Sequence, residues 1–278
     1  MQKHSRLIKI SKQEQKLAFF FYLCYYKWHQ KGEGSMNFVS REHFDTYLRG
    51  LKYLGQGSQG ACYLNTRNNT VYKVFNDYFD EEDAGYTEDF LLRFSNIKNS
   101  TFIWPNSVII VAGTIVGYTM PYKRAKNLCN INPLLVNLDK LEEATIKAEK
   151  DVKILTDNEV RLYDVRYNIL YNNGKMYVID TLEYGNRKVS YEENRMTIDD
   201  ELMLFLVDNY FEEFVKNDKL LNAMYREFEV RGVDFLKVFR NKLSEYVGKD
   251  ITKLNEAKHL VRKNNSHIYQ RGFDIEGI

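Results

Sequence analysis

The stretch that decides the fold runs from Leu51 to Phe75 and reads LKYLGQGSQGACYLNTRNNTVYKVF. Its centre is a glycine-rich turn, Gly55-Gln56-Gly57-Ser58-Gln59-Gly60, with apolar residues before and after it. The segment Thr70–Phe75 is β-branched and aromatic, and Asn68-Asn69 is typical of a hairpin turn. The pattern therefore predicts three antiparallel strands, with the glycine turn joining the first two.

The glycines match a G-x-G-x-x-G pattern at Gly55, Gly57 and Gly60. In a dinucleotide-binding fold this pattern opens a helix, but nothing after Gly60 reads as helical. A Walker A loop would end in Gly-Lys-Ser or Gly-Lys-Thr, which does not occur here. The remaining interpretation is a glycine turn between two strands, which has no side chains that would obstruct a ligand. By itself such a turn is more often a plain turn than a phosphate-binding site.

A second informative region lies about a hundred residues later. Asp164-Val165-Arg166-Tyr167-Asn168 leads into a predicted hairpin, whose strands, 168–171 and 176–179, flank a turn at residues 172–175. Asp180 follows the second strand directly. Antiparallel pairing returns the two ends of a hairpin to one edge, so Asn168 and Asp180 are expected close together.

Composition excludes several functional classes. The chain has 278 residues, 44% of them hydrophobic, which allows one large domain or two lobes. Its 40 basic and 38 acidic residues give a net charge of +2, so charge does not favour a nucleic-acid partner. Three cysteines without a CxxC pair fit a reducing compartment and argue against a structural zinc site. No histidine lies between residues 44 and 258, which disfavours a histidine-based catalytic triad.

The remaining patterns predict an α+β fold. We expect one helix over residues 80–97, strands at 107–112 and 114–120, and an amphipathic helix over 138–155. A capping-box-like pair, Thr197 and Asp200, predicts the start of a further helix. Helices are also expected at about 218–230, 233–247 and 252–262, with Gly232 and Gly248 as stops. Pro121-Tyr122-Lys123 ends the sheet region.

The N-terminal segment is expected to be an extension that precedes the main domain. Residues 18–26, AFFFYLCYY, are strongly apolar but far shorter than the roughly 20 residues of a membrane span. A buried or partner-binding aromatic helix is the favoured interpretation, and no cleavage site typical of a signal peptide follows. We therefore expect no membrane span and a cytoplasmic location. Richness in Lys, Asn, Ile and Tyr is typical of proteins from AT-rich microbes or their phages.

Taken in order, these features resemble the protein kinase-like superfamily over roughly residues 48–260. The resemblance implies a bilobal fold: an extension at 1–37, an N-lobe at 38–122 with a small antiparallel sheet and one helix, and a mainly helical C-lobe at 123–278. It also implies ATP as a ligand, Mg²⁺ as a cofactor, and transfer of the γ-phosphate to a hydroxyl acceptor.

The resemblance assigns the nucleotide-binding residues to the N-lobe. Gly55, Gly57 and Gly60 correspond to the glycines of the phosphate-covering loop, with Gln56 and Ser58 between them. Cys62 takes the place of the apolar residue over the base, and Lys73 that of the lysine on the α- and β-phosphates. Glu88 is the chosen partner of this lysine, and the other acidic residues considered are Glu81, Glu82 and Asp89. Met120 would close the back of the adenine pocket, and Tyr122 is assigned to the same nucleotide site.

The resemblance assigns the chemistry to the C-lobe. Asp164 corresponds to the aspartate that accepts the proton of the attacking hydroxyl, and Asn168 and Asp180 to the magnesium ligands. Magnesium is a hard ion that prefers such carboxylate and amide oxygens.

The chain also departs from the family pattern. Leu162-Tyr163 replaces His-Arg, Asn168 follows Asp164 by four residues rather than five, and Asp180-Thr181-Leu182 replaces Asp-Phe-Gly. No Ala-Pro-Glu follows. Three functions therefore remain open: an active phosphotransferase, a pseudokinase that acts as a scaffold or regulator, and an interaction protein that uses its termini. The acceptor is equally open, between a protein Ser/Thr and a small molecule.

Overall fold

The computed structural model describes residues 35–163, 165–226 and 230–260 and has an α+β fold. The chain divides into two compact units. The first unit contains the residues up to Arg93 together with Pro105–Tyr122, and the second contains Phe94–Trp104 and everything from Lys123 onward. Residues 94–104, assigned from sequence to the N-lobe, thus group with the second unit.

A six-stranded sheet forms the first unit, in the order β1-β5-β6-β4-β3-β2. Strands β2 to β6 pair antiparallel, as the sequence predicts. Strand β1 comes from the end of the predicted extension and pairs parallel with β5, which makes the sheet mixed rather than purely antiparallel. The strands are β1 Ser35–Phe38, β2 Lys52–Gln56, β3 Gly60–Asn65, β4 Thr70–Phe75, β5 Ser107–Val111 and β6 Thr114–Pro121.

The prediction of one helix over 80–97 is wrong, since the first unit has three described helices: α1 Arg41–Arg49, α2 Asn76–Phe79 and α3 Glu88–Leu92. Gly85 takes a positive φ of 69°, which interrupts a helix. Thr87 then caps α3 by accepting a hydrogen bond from the Phe90 amide at 3.3 Å. These two residues set the start of α3, which is five residues long.

The register of the sheet separates its side chains into two faces. Phe44 and Leu48 of α1 belong to the same hydrophobic cluster as Tyr72 and Val74 of β4, so α1 covers one face. The alternate residues of β4 point the other way. On that second face Lys73 pairs with Cys62 on one side and with Tyr118 on the other. Val71 and Met120 form the next pair along the same face.

The second unit is built around a long helix, α4 Leu138–Asp157, whose predicted apolar face is confirmed. Leu138, Leu141, Ala148, Val152 and Leu155 are all buried in the core of this unit. The remaining helices are α5 Tyr191–Val207, α6 Glu212–Asn217, α7 Lys219–Arg226 and α8 Gly232–Val247, with 3₁₀ turns at Leu128–Asn130, Pro133–Leu135 and Leu254–Leu260. Its short strands are β7 Lys126–Asn127, β8 Val160–Arg161, β9 Ile169–Asn172, β10 Lys175–Val178 and β11 Gly185–Asn186.

The start of α5 and the role of Gly232 differ from the prediction, and the helix predicted at 252–262 is a 3₁₀ turn, Leu254–Leu260. Helix α5 begins at Tyr191 and not near Thr197, because Ser190 caps it by accepting the Glu193 amide at 3.0 Å. Gly232 is the first residue of α8 and not a stop. Gly248 does end α8, with a left-handed φ of 79°.

The ends of the chain contribute little to this description. The aromatic segment 18–26 and the residues beyond 260 lie outside the described residues. Within the described ranges, no helix combines the length and the apolar character needed to cross a membrane.

Position 117 in β6, which faces β4, should not tolerate a residue larger than glycine. A Cβ there would lie 2.2 Å from the Lys73 carbonyl oxygen, so Gly117→Ala forces two backbones apart. We expect the free energy of unfolding to fall by about 1–3 kcal/mol, measured by urea denaturation. Gly57→Ala is the control, since no heavy atom lies within 4 Å of a Cβ at that position. Equal stability of the two variants would contradict the close approach.

Stability should depend on pH through Asp199 of α5, which is fully buried. Burial raises its pKa to about 7, although the adjacent Arg195 guanidinium acts in the opposite direction. Because the unfolded chain releases this proton near its ordinary pKa of about 3.9, the folded state should lose stability as pH rises from about 4 to 7. Denaturation across this range should show a smaller slope for Asp199→Asn. The exposed Asp157→Asn serves as control, and a slope equal to wild type in Asp199→Asn would refute the assignment.

Candidate functional site

The three glycines of the turn serve different purposes. Gly55 is the next-to-last residue of β2 and has a φ of 153°, which L-residues rarely adopt. Gly60 allows β3 to approach β4, because a Cβ there would lie 2.2 Å from the Val74 carbonyl oxygen. Gly57 lies in open space, and its amide donates to the Gly60 carbonyl at 2.9 Å. Gly60 is therefore explained by sheet packing, while Gly57 leaves room over an exposed turn.

Asn76, the first residue of α2, holds this turn and was not singled out from the sequence. Its Nδ2 donates to the carbonyl oxygens of Gly57 at 3.2 Å and Ser58 at 2.8 Å. Its Oδ1 accepts from Gln56 Nε2 at 2.8 Å, and its own amide donates to the Gln59 carbonyl at 3.2 Å. One side chain and its backbone thus fix the whole turn.

Lys73 lies in the middle of β4 with only 5% of its surface exposed. Its Nζ donates to Gln59 Oε1 of the glycine turn at 2.8 Å and lies 5.9 Å from the centre of the Tyr118 ring. An ammonium group is rarely buried without a specific purpose, because leaving water is costly. The strand therefore presents a buried positive charge beside the turn, on the face that also carries Cys62.

The acidic residues considered as partners of Lys73 are not brought to it. Glu88 is exposed at the start of α3, and Glu82 and Asp89 are exposed as well. Glu81 faces Arg41 at 3.8 Å. Among the described residues, none of these four carboxylates forms an ion pair with Lys73.

The two residues assigned to the adenine end of the site lie on and just after β6. Met120 is buried on the same face as Lys73, two positions from its partner Tyr118. Tyr122 is half-buried, and its amide donates to the Asn69 carbonyl at 2.8 Å. Register therefore places Met120, Cys62 and Lys73 on one side of the sheet.

In the second unit, the predicted hairpin brings Asn168 and Asp180 to one edge. Ile169 of β9 pairs with Val178 of β10, and just beyond this pair the Ile179 amide donates to the Asn168 carbonyl at 3.0 Å. Asp180 has a φ of 58°, an uncommon conformation for a residue with a side chain. Such conformations cluster at functional sites, where the surroundings must hold them.

The backbone around Asp180 is held by the segment 101–103. The Val178 amide donates to the Thr101 carbonyl at 2.8 Å, and the Ile103 amide donates to the Val178 carbonyl at 2.9 Å. The buried Thr181 hydroxyl donates to the Ile103 carbonyl at 3.3 Å. Asp180 is thus flanked on both sides by residues that are bonded to the same segment.

Asp164 lies outside the described residues, but the chain before it is anchored by Asn194 of α5. Asn194 Oδ1 accepts the Leu162 amide at 2.9 Å, and its Nδ2 donates to the Val160 carbonyl at 2.8 Å. Its side chain is 1% exposed. The sequence offers no local signal for this role, since Asn194 follows Leu162 by 32 residues.

The donor set of the second unit suits a hard cation. In the described part of the chain, no group of three or more His, Cys, Asp or Glu lies close enough to hold a metal ion. Asn168 and Asp180 offer one amide and one carboxylate oxygen donor on adjacent backbone. Magnesium commonly uses only one or two protein carboxylates and takes its other ligands from water and phosphate. These residues therefore fit magnesium better than zinc, which prefers Cys and His.

Comparison of the sequence with protein-family models gives no match, and comparison with curated proteins gives none either.

Replacing Asn194 should destabilise the segment that precedes Asp164. Asn194→Ala leaves the Leu162 amide and the Val160 carbonyl without their partners in a buried place, which should cost about 2–4 kcal/mol. The exposed Asn158→Ala loses one hydrogen bond, to the Ile154 carbonyl at 2.8 Å, and is the matched control. Chemical denaturation of both variants checks this. A loss for Asn194→Ala no larger than that of the control would show that water replaces the anchor.

Proposed function

We propose that this protein is an ATP- and magnesium-dependent phosphotransferase, similar to the protein kinase-like superfamily, that transfers the γ-phosphate to a hydroxyl acceptor. The observation that carries the proposal is Lys73, a buried ammonium group bonded at 2.8 Å to Gln59 of a glycine-rich turn. A buried cation beside an exposed turn rich in backbone amides is suited to bind phosphate.

The first unit supplies groups for the nucleotide. Lys73 would contact the α- and β-phosphate oxygens, and the amides of Ser58 and Gln59 would contact the outer phosphates. Cys62 and Met120, on the same face of the sheet, would contact the adenine ring. The acidic partner of Lys73 stays an open part of this proposal, since Glu88 is not brought to it.

The second unit supplies groups for the metal and the acceptor. Asn168 and Asp180 would hold magnesium, which when bound neutralises charge that develops on the phosphoryl group. Asp164 would orient the acceptor hydroxyl and take its proton as the oxygen attacks phosphorus and ADP leaves. A nucleotide-binding scaffold would need Lys73 but not Asp164, so the presence of both favours transfer.

The bonds around Thr181 favour an enzyme without a regulatory switch at the metal. The residues after Asp180 are fixed by a buried hydroxyl and by Leu182, which is 2% exposed. Leu182 stands where the Asp-Phe-Gly pattern has its glycine, so the loop lacks the conformational freedom of that residue. We infer that Asp180 keeps one position whether or not an activating signal is present.

The proposal includes a cytoplasmic location. Among the described residues, Cys62 and Cys129 form no disulfide bond. Cysteines persist in this reduced form in a reducing compartment, which is also where ATP is abundant.

Magnesium-dependent binding of ATP tests the first half of the proposal. At 100 times the dissociation constant, ATP should stabilise the wild type by about 2.7 kcal/mol, a shift readily seen in thermal unfolding. Asp180→Asn should lose most of the magnesium-dependent part of the shift, because it loses a carboxylate ligand. Asp250→Asn, which changes an exposed aspartate of the same unit, should retain it. No shift in wild type would remove the nucleotide site.

Phosphate transfer tests the second half. ATP consumption should be measured with serine- and threonine-containing proteins and with a panel of small alcohols as acceptors. Asp164→Ala should abolish transfer and leave ATP binding near that of wild type, because Asp164 contacts the acceptor rather than the nucleotide. Binding without transfer to any acceptor would instead support a nucleotide-dependent scaffold.

A further inference from the structure

We propose that Asn76 is a positioning residue that turns the backbone amides of the glycine turn toward the phosphates of the nucleotide. This inference rests on the proposed function and adds a residue to it. Asn76 bonds to four consecutive residues of the turn, through Gln56 Nε2 and the carbonyl oxygens of Gly57, Ser58 and Gln59.

The direction of these bonds determines the direction of the amides. In a trans peptide the C=O and the N–H point in opposite directions, and the described part of the chain has no cis peptide. The carbonyls of Gly57 and Ser58 both point at Asn76 Nδ2. The amides of the same two peptides belong to Ser58 and Gln59, and they therefore point away from Asn76. Two successive amides that point the same way form a concavity suited to an anion.

Asn76 also connects the turn to the buried lysine. Gln59 accepts a hydrogen bond from Lys73 Nζ through its side chain and from the Asn76 amide through its carbonyl. Lys73 and Asn76 are three residues apart, on either side of the end of β4. The strand therefore sets the ammonium group and the outward-facing amides in one geometry, before any nucleotide is bound.

A simple structural pin would give the same contacts, so the test must separate the two roles. Amides of the turn would contact phosphates and not adenosine. Loss of Asn76 should then weaken the binding of ATP while leaving the binding of adenosine unchanged. A pin that merely supports the fold would weaken both ligands together or neither.

The experiment is equilibrium binding of ATP and of adenosine to wild type, Asn76→Ala and Asn68→Ala. Asn68 is a matched control, since it is an exposed asparagine whose Oδ1 accepts the Thr70 amide at 3.2 Å at the far end of β4. We expect Asn76→Ala to raise the Kd for ATP by about 10- to 100-fold, as for the loss of one or two hydrogen bonds to a charged group. Its Kd for adenosine should stay within about twofold of wild type, and Asn68→Ala should bind both ligands normally.

The outcomes separate this inference from the proposed function. If the wild-type protein does not bind ATP, the proposed function is wrong, and so is the proposed role of Asn76. Wild type that binds ATP, with Asn76→Ala unchanged or equally weakened for adenosine, overturns the inference alone.

A second variant and a second measurement guard against a folding defect. Asn76→Asp keeps the acceptor for Gln56 but cannot donate to the two carbonyls, so it should loosen the turn as the alanine variant does. In the ligand-free protein, hydrogen exchange of the peptide that covers residues 57–60 should be faster in both variants than in Asn68→Ala. Unchanged exchange there would show that Asn76 does not hold the turn, and would refute the proposal.

Discussion

The close approach of β3 and β6 to β4 is the constraint on which the first unit depends. Gly60 of β3 and Gly117 of β6 lie on opposite edges of β4, and a Cβ would lie 2.2 Å from the Val74 carbonyl oxygen at the first position and from the Lys73 carbonyl oxygen at the second. With both neighbours this close, β4 is a central strand that is paired on both edges. Its side chains must alternate between the cluster under α1 and the opposite face. Lys73 is directed to that opposite face, and desolvation of its ammonium group is the cost.

A different constraint organises the second unit. The two-residue turn at Asn173-Gly174, with φ values of 36° and 87°, sets the register of β9 and β10. This register decides that Asn168 and Asp180 meet at one edge. The uncommon backbone conformation of Asp180 is tolerated because the segment 101–103 holds Val178 before it and Thr181 after it. Local strain of this kind is stored where the surroundings determine it, and this is a physical reason to look for function at this edge.

Much of this architecture can be predicted from local patterns. Alternation, turn residues and apolar spacing gave the strands β2 to β6, the hairpin of β9 and β10, and helix α4. A boundary failed where caps compete: Ser190 and Thr197 both look like starts of a helix, and Ser190, which accepts the Glu193 amide, is the residue that caps α5. The single predicted helix over 80–97 failed because Gly85 and Thr87 act within it. Local chemistry overrode apolar spacing in that segment.

The residues that position the candidate site could not be found from sequence, because their contacts are distant along the chain. Asn76 bonds to residues up to 20 positions away, and Asn194 to residues more than 30 positions away. A lone asparagine in a sequence carries no signal of such a role. Conversely, Glu88 had the right residue type and spacing, and the structure leaves it exposed. Sequence spacing predicts which side chains share a face, but not which distant backbone they bind.

Asn76 and Asn194 have a chemical property in common that suits the proposed reaction. Each holds a backbone segment by donating and accepting hydrogen bonds through a neutral amide. A carboxylate in the place of Asn76 would repel a triphosphate, and a cation in the place of Asn194 would add positive charge to the segment that leads to Asp164, the proposed base. Neutral amides add no charge beside the residues assigned to the proposed reaction, Lys73, Asp164 and Asp180. Phosphoryl transfer depends on placing few charges accurately, and uncharged anchors provide that accuracy without competing for the ligand.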